Sequence, residues 1–300
     1  MGQMKSYVWD EKERRSNVAK DHYNKMEKTY SNDINNSIKN TILYEQEWDI
    51  DENDEKYKYT NPKSEIIVEP LSSSQAVAKY CNTPMASSSI PPVQFTDNKI
   101  AVLNFASFKH PGGAFLQGSR AQEECLCHDS TLYNVLSRFQ KDYYNINIHL
   151  LNNGLYTSRI LYSPDIVFDF QDKYIDGWNH EVSTRVITKV DVITAAAPNA
   201  GTYLRYRKGP KEAVYAAMLD RINKIMSIAI EQKVNVLILG AFGCGVFKND
   251  PKEVAEIFRK VIDGRKDLFE NIKFVFAIPI VAGNNKYNNN FITFKKILEG

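Results

Sequence analysis

Five short apolar runs constrain this chain more than any other feature: EIIVE (65–69), KIAVLNFA (99–106), VITKVDVITAAAP (186–198), NVLILGAFG (235–243) and KFVFAIPIV (273–281). Each is short enough for a strand and too continuous to leave one face in water. Segments with helical periodicity separate several of them: SSQAVAKYC (73–81), QEECLCHDSTLYNVLSRF (122–139), KEAVYAAMLDRINKIMSIAIEQ (211–232) and PKEVAEIFRKVI (251–262). Buried strands alternating with helices predict an α/β fold whose sheet is covered on both faces. NNFITFKKILEG (289–300) reads as a closing helix, and SSSIPPVQ (87–94) as a loop.

The first 64 residues follow another rhythm. Charged helix formers interleaved with Val18, Tyr23 and Met26 predict an amphipathic helix starting near Asp10. SNDINNSIKN (31–40) is Asn-rich and reads as loop-like at its edges, TILYEQ (41–46) as a strand, and DENDEKYKYTNPKS (51–64) as a turn-rich connection. No Gly/Ser-rich hinge separates these parts. The expected organisation is an N-terminal helical accessory region, 1–64, packed on a principal domain, 65–300.

Charge narrows the partners. With 38 basic against 36 acidic residues and a net charge of +2, no broad nucleic-acid surface is expected. An anionic ligand must be met by local donors. No apolar run approaches the ~18–20 residues of a membrane span, and the N-terminus lacks a secretory apolar core. Gly2 and Ser6 match a loose myristoylation pattern that is too short to carry an expectation. The 4 cysteines do not form a disulfide framework, which predicts a reducing, cytoplasmic setting. Cys125, Cys127 and His128 lack metal-ligand spacing and read as parts of a packed helix.

Two segments follow apolar strands, where ligands of open α/β sheets bind. GAFGCGVFKNDP places Gly240, Gly243 and Gly245 just before a helix. Such a loop brings backbone amides to a phosphate, or it simply turns the chain. It lacks the Lys-Ser/Thr of a nucleotide-triphosphate loop. The other segment, HPGGAFLQGSRAQEECLC (110–127), sets two adjacent glutamates at a helix start. Consecutive helical residues diverge by ~100°, so Glu123 and Glu124 cannot share one task. One can hold hydroxyls while the other moves a proton, or both can merely complement the helix dipole. Asn104 ends its strand as a sugar ligand or as a turn former.

Together these residues resemble the microbial-type poly(ADP-ribose) glycohydrolase family of macrodomain-like proteins. Its signature pairs a triple glycine with Gln-Glu-Glu; here Gly112-Gly113-Ala114 precedes FLQGSRA and then Gln122-Glu123-Glu124. STLY, YSPDIV, VITAAAPN and LGAFGCGVFKNDP extend the likeness in order, over roughly residues 10–300. The resemblance implies a three-layer α/β/α macrodomain-like fold with a mixed central sheet and an N-terminal helical extension. It implies cleavage of ribose–ribose O-glycosidic bonds in poly(ADP-ribose), releasing ADP-ribose, with neither metal nor cofactor. Glu124 matches the acid/base, Glu123 the neighbour that holds ribose hydroxyls, and Asn104 a ribose-binding asparagine. Gln122 belongs to the same signature. Gly112, Gly113 and Ala114 match the loop beside the diphosphate, and Gly243, Cys244, Gly245, Val246 and Phe247 the second phosphate loop.

Ala114 departs from the pattern, since the family has glycine there. A methyl group at a positive φ would cost about 1 kcal/mol and reshape the loop, whereas at a negative φ it is harmless. A module that holds ADP-ribose with little turnover, a hydrolase of mono-ADP-ribosylated protein or nucleic acid, and a nucleotide-binding structural protein are the other readings of these residues.

Overall fold

The computed structural model describes residues 2–59, 62–81, 98–175, 181–281, 283 and 285–300. Its seven strands form one sheet: β1 (Ile42–Tyr44), β2 (Lys63–Glu69), β3 (Ile100–Phe105), β4 (Ile160–Ile175), β5 (Glu181–Ala195), β6 (Val236–Leu239) and β7 (Asn271–Ala277). The spatial order is β1-β4-β5-β3-β6-β7-β2. From β5 to β2 all neighbours are parallel, while β4 runs antiparallel to both β5 and β1. The sheet is therefore mixed, and β3, β5, β6 and β7 all end at the same edge.

Among the described residues ten α-helical pieces surround it. Those before β4 are α1 (Gly2–Thr29), α2 (Ser31–Asn40), α3 (Ser73–Tyr80), α4 (Gln122–Asp129), α5 (Leu132–Leu136) and the single turn α6 (Asn145–Asn147). After β5 come the turn α7 (Ala200–Thr202), α8 (Lys211–Glu231), α9 (Pro251–Arg265) and α10 (Asn285–Leu298). Alternate strand residues feed two separate apolar clusters. Leu103, Ile193, Leu237 and Phe276 pack with Ile222, Ile225 and Phe258 from α8 and α9. Val102, Val192, Ile238 and Val275 pack with Leu126, Leu132 and Val77 from α4, α5 and α3. The sheet is thus sandwiched between helices, as the apolar runs require.

Some expectations need correction. The Asn-rich segment 31–40, expected to be loop-like at its edges, is helix α2 from end to end, because Ile34 and Ser37 are buried one turn apart and the helix packs on β4. That tertiary contact outweighs the weak helix propensity of asparagine. Helix α1 begins at Gly2, ahead of Asp10. The helix expected over 122–139 breaks at Ser130, whose backbone is extended (φ −151°) and bridges to Phe168. Ser130 Oγ donates to Leu126 O and Thr131 N–H to Val167 O, so the chain exchanges helical partners for β4. Strand β4 itself was not expected. It carries Pro164, and the register shifts between Ser163 and Ile166 with Asp165 at φ 57°. Such a bulge is where a sheet accommodates proline.

Residues 1–64 do more than flank the sheet: β1 is its edge strand, and the boundary at 64/65 runs through β2. The loop expected at 87–94 lies outside the described residues. Among the described residues no helix is long and apolar enough to cross a membrane.

Candidate active site

The parallel strands deliver their following loops to a cleft of about 510 Å³. Its walls include Phe105 at the end of β3 and Ser107 beyond it, Ala197 after β5, Gly243, Gly245, Val246 and Phe247 after β6, and Ile278 after β7. The first turn of α4 closes one side with Gln122, Glu123 and Glu124. Helix α4 has no side-chain N-cap, since Ala121 occupies that position.

Both carboxylates are buried, with Glu123 3 % and Glu124 5 % exposed, which separates them from ordinary solvated first-turn acids. They diverge as the helix geometry demands. Glu123 turns toward β3: Oε2 accepts from Ser107 N–H at 2.7 Å and Oε1 from Asn104 Nδ2 at 3.3 Å. Glu124 turns toward the glycine loop, where Oε1 accepts from Ala114 N–H at 2.9 Å. Its Oε2 is buried with no hydrogen-bond partner. A buried, unpartnered carboxylate oxygen is costly, and Glu124 lines the cleft, which makes this oxygen a candidate ligand contact.

Burial pushes the Glu123 carboxyl up to about 8, against hydrogen bonds from Ser107, Asn104 and Gly112 that favour the carboxylate. The negative charge of Glu124 pushes it in the same direction as burial. At neutral pH Glu123 therefore retains its proton to a large extent.

The glycine loop is shaped around these carboxylates. Gly112 and Gly113 have φ values of 62° and 59°, in the left-handed region. A Cβ at Gly113 would strike the Glu124 carboxylate and come within 3.0 Å of Glu123 Oε2. Ala114 has φ −109°, where its methyl costs nothing. Two of the loop amides already have tasks: Gly113 N–H on His110 O and Ala114 N–H on Glu124. This loop holds carboxylates rather than presenting a free set of donors.

Gln122 is a brace. Its Oε1 accepts from Phe105 N–H at 2.8 Å, and its Nε2 donates to Leu103 O at 2.8 Å and Ser73 Oγ at 3.0 Å. One side chain thereby ties α4 to β3 and to the first turn of α3. Asn104 is fully buried, with Nδ2 shared between Glu123 and Thr194, and its Oδ1 has no partner.

In the second loop Gly243 has φ 73°, and a Cβ there would meet Asn249 Nδ2 and Ala197 Cβ. Gly245 has no such requirement: its φ is not positive and a Cβ would meet nothing within 4 Å. Cys244 is buried in the core and, unlike its neighbours Gly243 and Gly245, does not line the cleft. Val246 is 79 % exposed at the rim, and Phe247 lines the wall edge-on to Tyr156. Tyr156 in turn stacks on Phe108 at 4.4 Å. Of the thiols expected to be buried on α4, Cys127 is buried and Cys125 is exposed at the cleft wall.

The sequence reading missed three supports. Ser107 seats Glu123, Ser73 receives Gln122, and Asn249 Nδ2 donates to Pro198 O at 2.8 Å and Gly243 O at 3.0 Å, holding the second loop. Only Asn249 left a trace, as the Asn of a KNDP helix start; Asp250 caps α9 through Lys252 N–H with Pro251 following.

Comparison with known proteins gives one family. The model of the microbial-type PARG (poly(ADP-ribose) glycohydrolase) catalytic domain matches residues 12–171. A crystal structure of poly(ADP-ribose) glycohydrolase from Deinococcus radiodurans in complex with ADP-ribose is 27 % identical, with a TM-score of 0.67 over 89 % of this chain and 96 % of that one. Another crystal form of that complex is 29 % identical, with a TM-score of 0.68 over 89 % and 97 %. The Thermomonospora curvata enzyme, at 24 % identity, has the same fold, with a TM-score of 0.73 over 95 % of this chain and 99 % of that one. No curated protein matches.

Proposed function

The chain belongs to the microbial-type poly(ADP-ribose) glycohydrolase family, and from that premise we propose how its own residues cleave the ribose–ribose O-glycosidic bonds of poly(ADP-ribose). The observation that carries the assignment of roles is the Glu124 carboxyl: one oxygen held by Ala114 N–H, the other buried and unpartnered in the cleft. Protonated, it delivers a proton to the departing ribose oxygen while the other sugar takes on oxocarbenium character. As a carboxylate, it then takes a proton from the attacking water. Acid and base are one group acting in sequence, and ADP-ribose leaves as product.

Glu123 and Asn104 orient the ribose. Glu123 is fixed from two sides, and Asn104 Oδ1 is a buried acceptor left for a sugar hydroxyl. The diphosphate lies along the second loop. Cys244 N–H already bonds Ala241 O, so the donors toward an anion come from other amides of this loop, those of Val246 and Phe247 among them. Phe247 supplies an apolar wall for the ribose. Gln122 and Gly112 to Ala114 act by positioning, and no step requires a metal or cofactor. Free cysteines suit a reducing, cytoplasmic compartment.

The test is direct. Pure protein incubated with defined poly(ADP-ribose) should release free ADP-ribose. ADP-ribose binding without release would instead identify a reader, and release only from mono-modified protein or nucleic acid a different hydrolase.

A further inference from the structure

Beyond the cleft, the segment YLRYRKGPK (203–211) holds 4 basic residues and no acidic one, in a chain whose net charge is only +2. Its aromatic residues divide between two faces. Tyr203 and Leu204 pack inward with Leu155, Ala200 and Val214, and Gly209 lies against the Tyr203 ring. Tyr206 points out, 70 % exposed, with the Arg205 guanidinium 5.5 Å from its ring centroid. Arg205, Lys208 and Lys211 are exposed around it. Residues 203–207 form a π-helical turn, and Lys208 follows at φ 49°. So large an aromatic ring held in water beside fixed cations does nothing for the core.

This surface is continuous with the cleft. Gly201 N–H donates to Phe247 O at 2.9 Å. The exposed Lys248 passes so close to Gly201 that a Cβ there would lie 3.0 Å from Lys248 Cγ. Leu155, which packs beneath Tyr203, precedes Tyr156, whose ring meets Phe247 in the cleft wall. In the sheet, this segment follows β5, which neighbours β3 on the side away from β6 and β7. Glu123 and Glu124 stand over β3, so a ligand seated along the β6 and β7 loops leaves the β5 side for whatever lies beyond the scissile bond. The nearby acids are Glu212, in the first turn of α8, and Asp250, the cap of α9.

We propose that Arg205, Tyr206 and Lys208, with Lys248, form a second binding surface for further ADP-ribose units of the polymer, Tyr206 stacking on an adenine and the cations meeting its diphosphates. An aromatic face flanked by cations is the arrangement that holds flexible phosphate-linked chains without reading sequence, because stacking and backbone charge are common to every unit. The proposal rests on the reading of the cleft as a poly(ADP-ribose) site, and it makes the enzyme favour long chains over short ones.

Binding separates the two claims. In a Glu124→Gln background, expected to slow turnover and checked for it, affinity is measured by fluorescence anisotropy for ADP-ribose and for oligomers of increasing length. With the surface intact, affinity should rise at least tenfold from monomer to oligomer and fall with added salt. Adding Arg205→Ala, Tyr206→Ala and Lys208→Ala, all at exposed positions, should abolish that rise and flatten the salt dependence, with monomer affinity changed less than twofold. A rise that survives the triple change, or a parallel loss for the monomer, overturns the second surface. Neither result depends on hydrolysis by the unmodified protein, so failure of the catalytic reading would be seen separately, as absence of ADP-ribose release.

Discussion

The backbone N–H of Ala114 donates to Glu124 Oε1 at 2.9 Å, so the residue that departs from the glycine signature is also the one that seats the carboxylate proposed as acid/base. The donor is a main-chain amide, which alanine offers as well as glycine. With φ at −109°, the methyl group meets no backbone penalty. Ala114→Gly should therefore change turnover less than about tenfold and slightly lower stability through added chain entropy. Steady-state rates and a urea melt check both. An inactive natural protein rescued by this one substitution would overturn the placement.

One position earlier the outlook reverses. Gly113 has φ 59°, and a Cβ would enter the space of the Glu124 carboxylate. Gly113→Ala should displace that group and cost turnover more than about tenfold, since small misplacements of a reacting group are expensive. Glu124→Gln keeps the shape and removes the proton, so it should lower turnover by at least ~10²-fold while leaving ADP-ribose affinity within a few-fold. Near-normal kcat in Glu124→Gln would remove Glu124 from the mechanism.

In the second loop the sequence pointed to three glycines alike, and the backbone distinguishes two of them. Gly243→Ala must adopt φ 73° and push against Ala197 and Asn249. It should weaken ADP-ribose binding by ~1–3 kcal/mol by moving the loop amides. Gly245 has neither a positive φ nor a neighbour for a Cβ, so Gly245→Ala should bind within about threefold of the natural protein. Calorimetry on both variants decides, and equal losses would mean that Gly245 matters for a reason other than shape.

What could be read in advance follows from range. The apolar runs that became β3, β6 and β7 depend on burial alone, which a sequence shows directly. Glu123 and Glu124 could be separated in role because helical angle is local arithmetic. The bonds from Ser107 to Glu123 and from Gln122 to Ser73 join residues 16 and 49 positions apart, and nothing in either serine signals its partner. The ends of helix α2 were hidden for a similar reason, since its asparagines argue locally for loop at the edges and only contact with β4 overrules them. Pro164 concealed β4 by being the residue a strand normally excludes, until the bulge beside it is seen. The Ala114 question was settled by a single dihedral angle.

The buried proton on Glu123 gives a test that needs no substrate. Its pKa stands at about 8 in the folded protein against the ordinary 4.5, with burial as the largest cause. Between those two values the folded state keeps a proton that the unfolded chain has released. Stability must then fall as pH rises, because the slope of unfolding free energy with pH follows protons bound in the unfolded state minus those bound in the native state. The contribution is fully present below about pH 4.5 and is lost as pH passes about 8. Glu123→Gln removes this titration and leaves every other group in place. Urea melts of both proteins from pH 5 to pH 9 should show the natural protein losing stability relative to the variant across that window. Curves that run parallel would mean that Glu123 is ionised throughout, and that the ribose hydroxyls meet a carboxylate rather than a carboxylic acid.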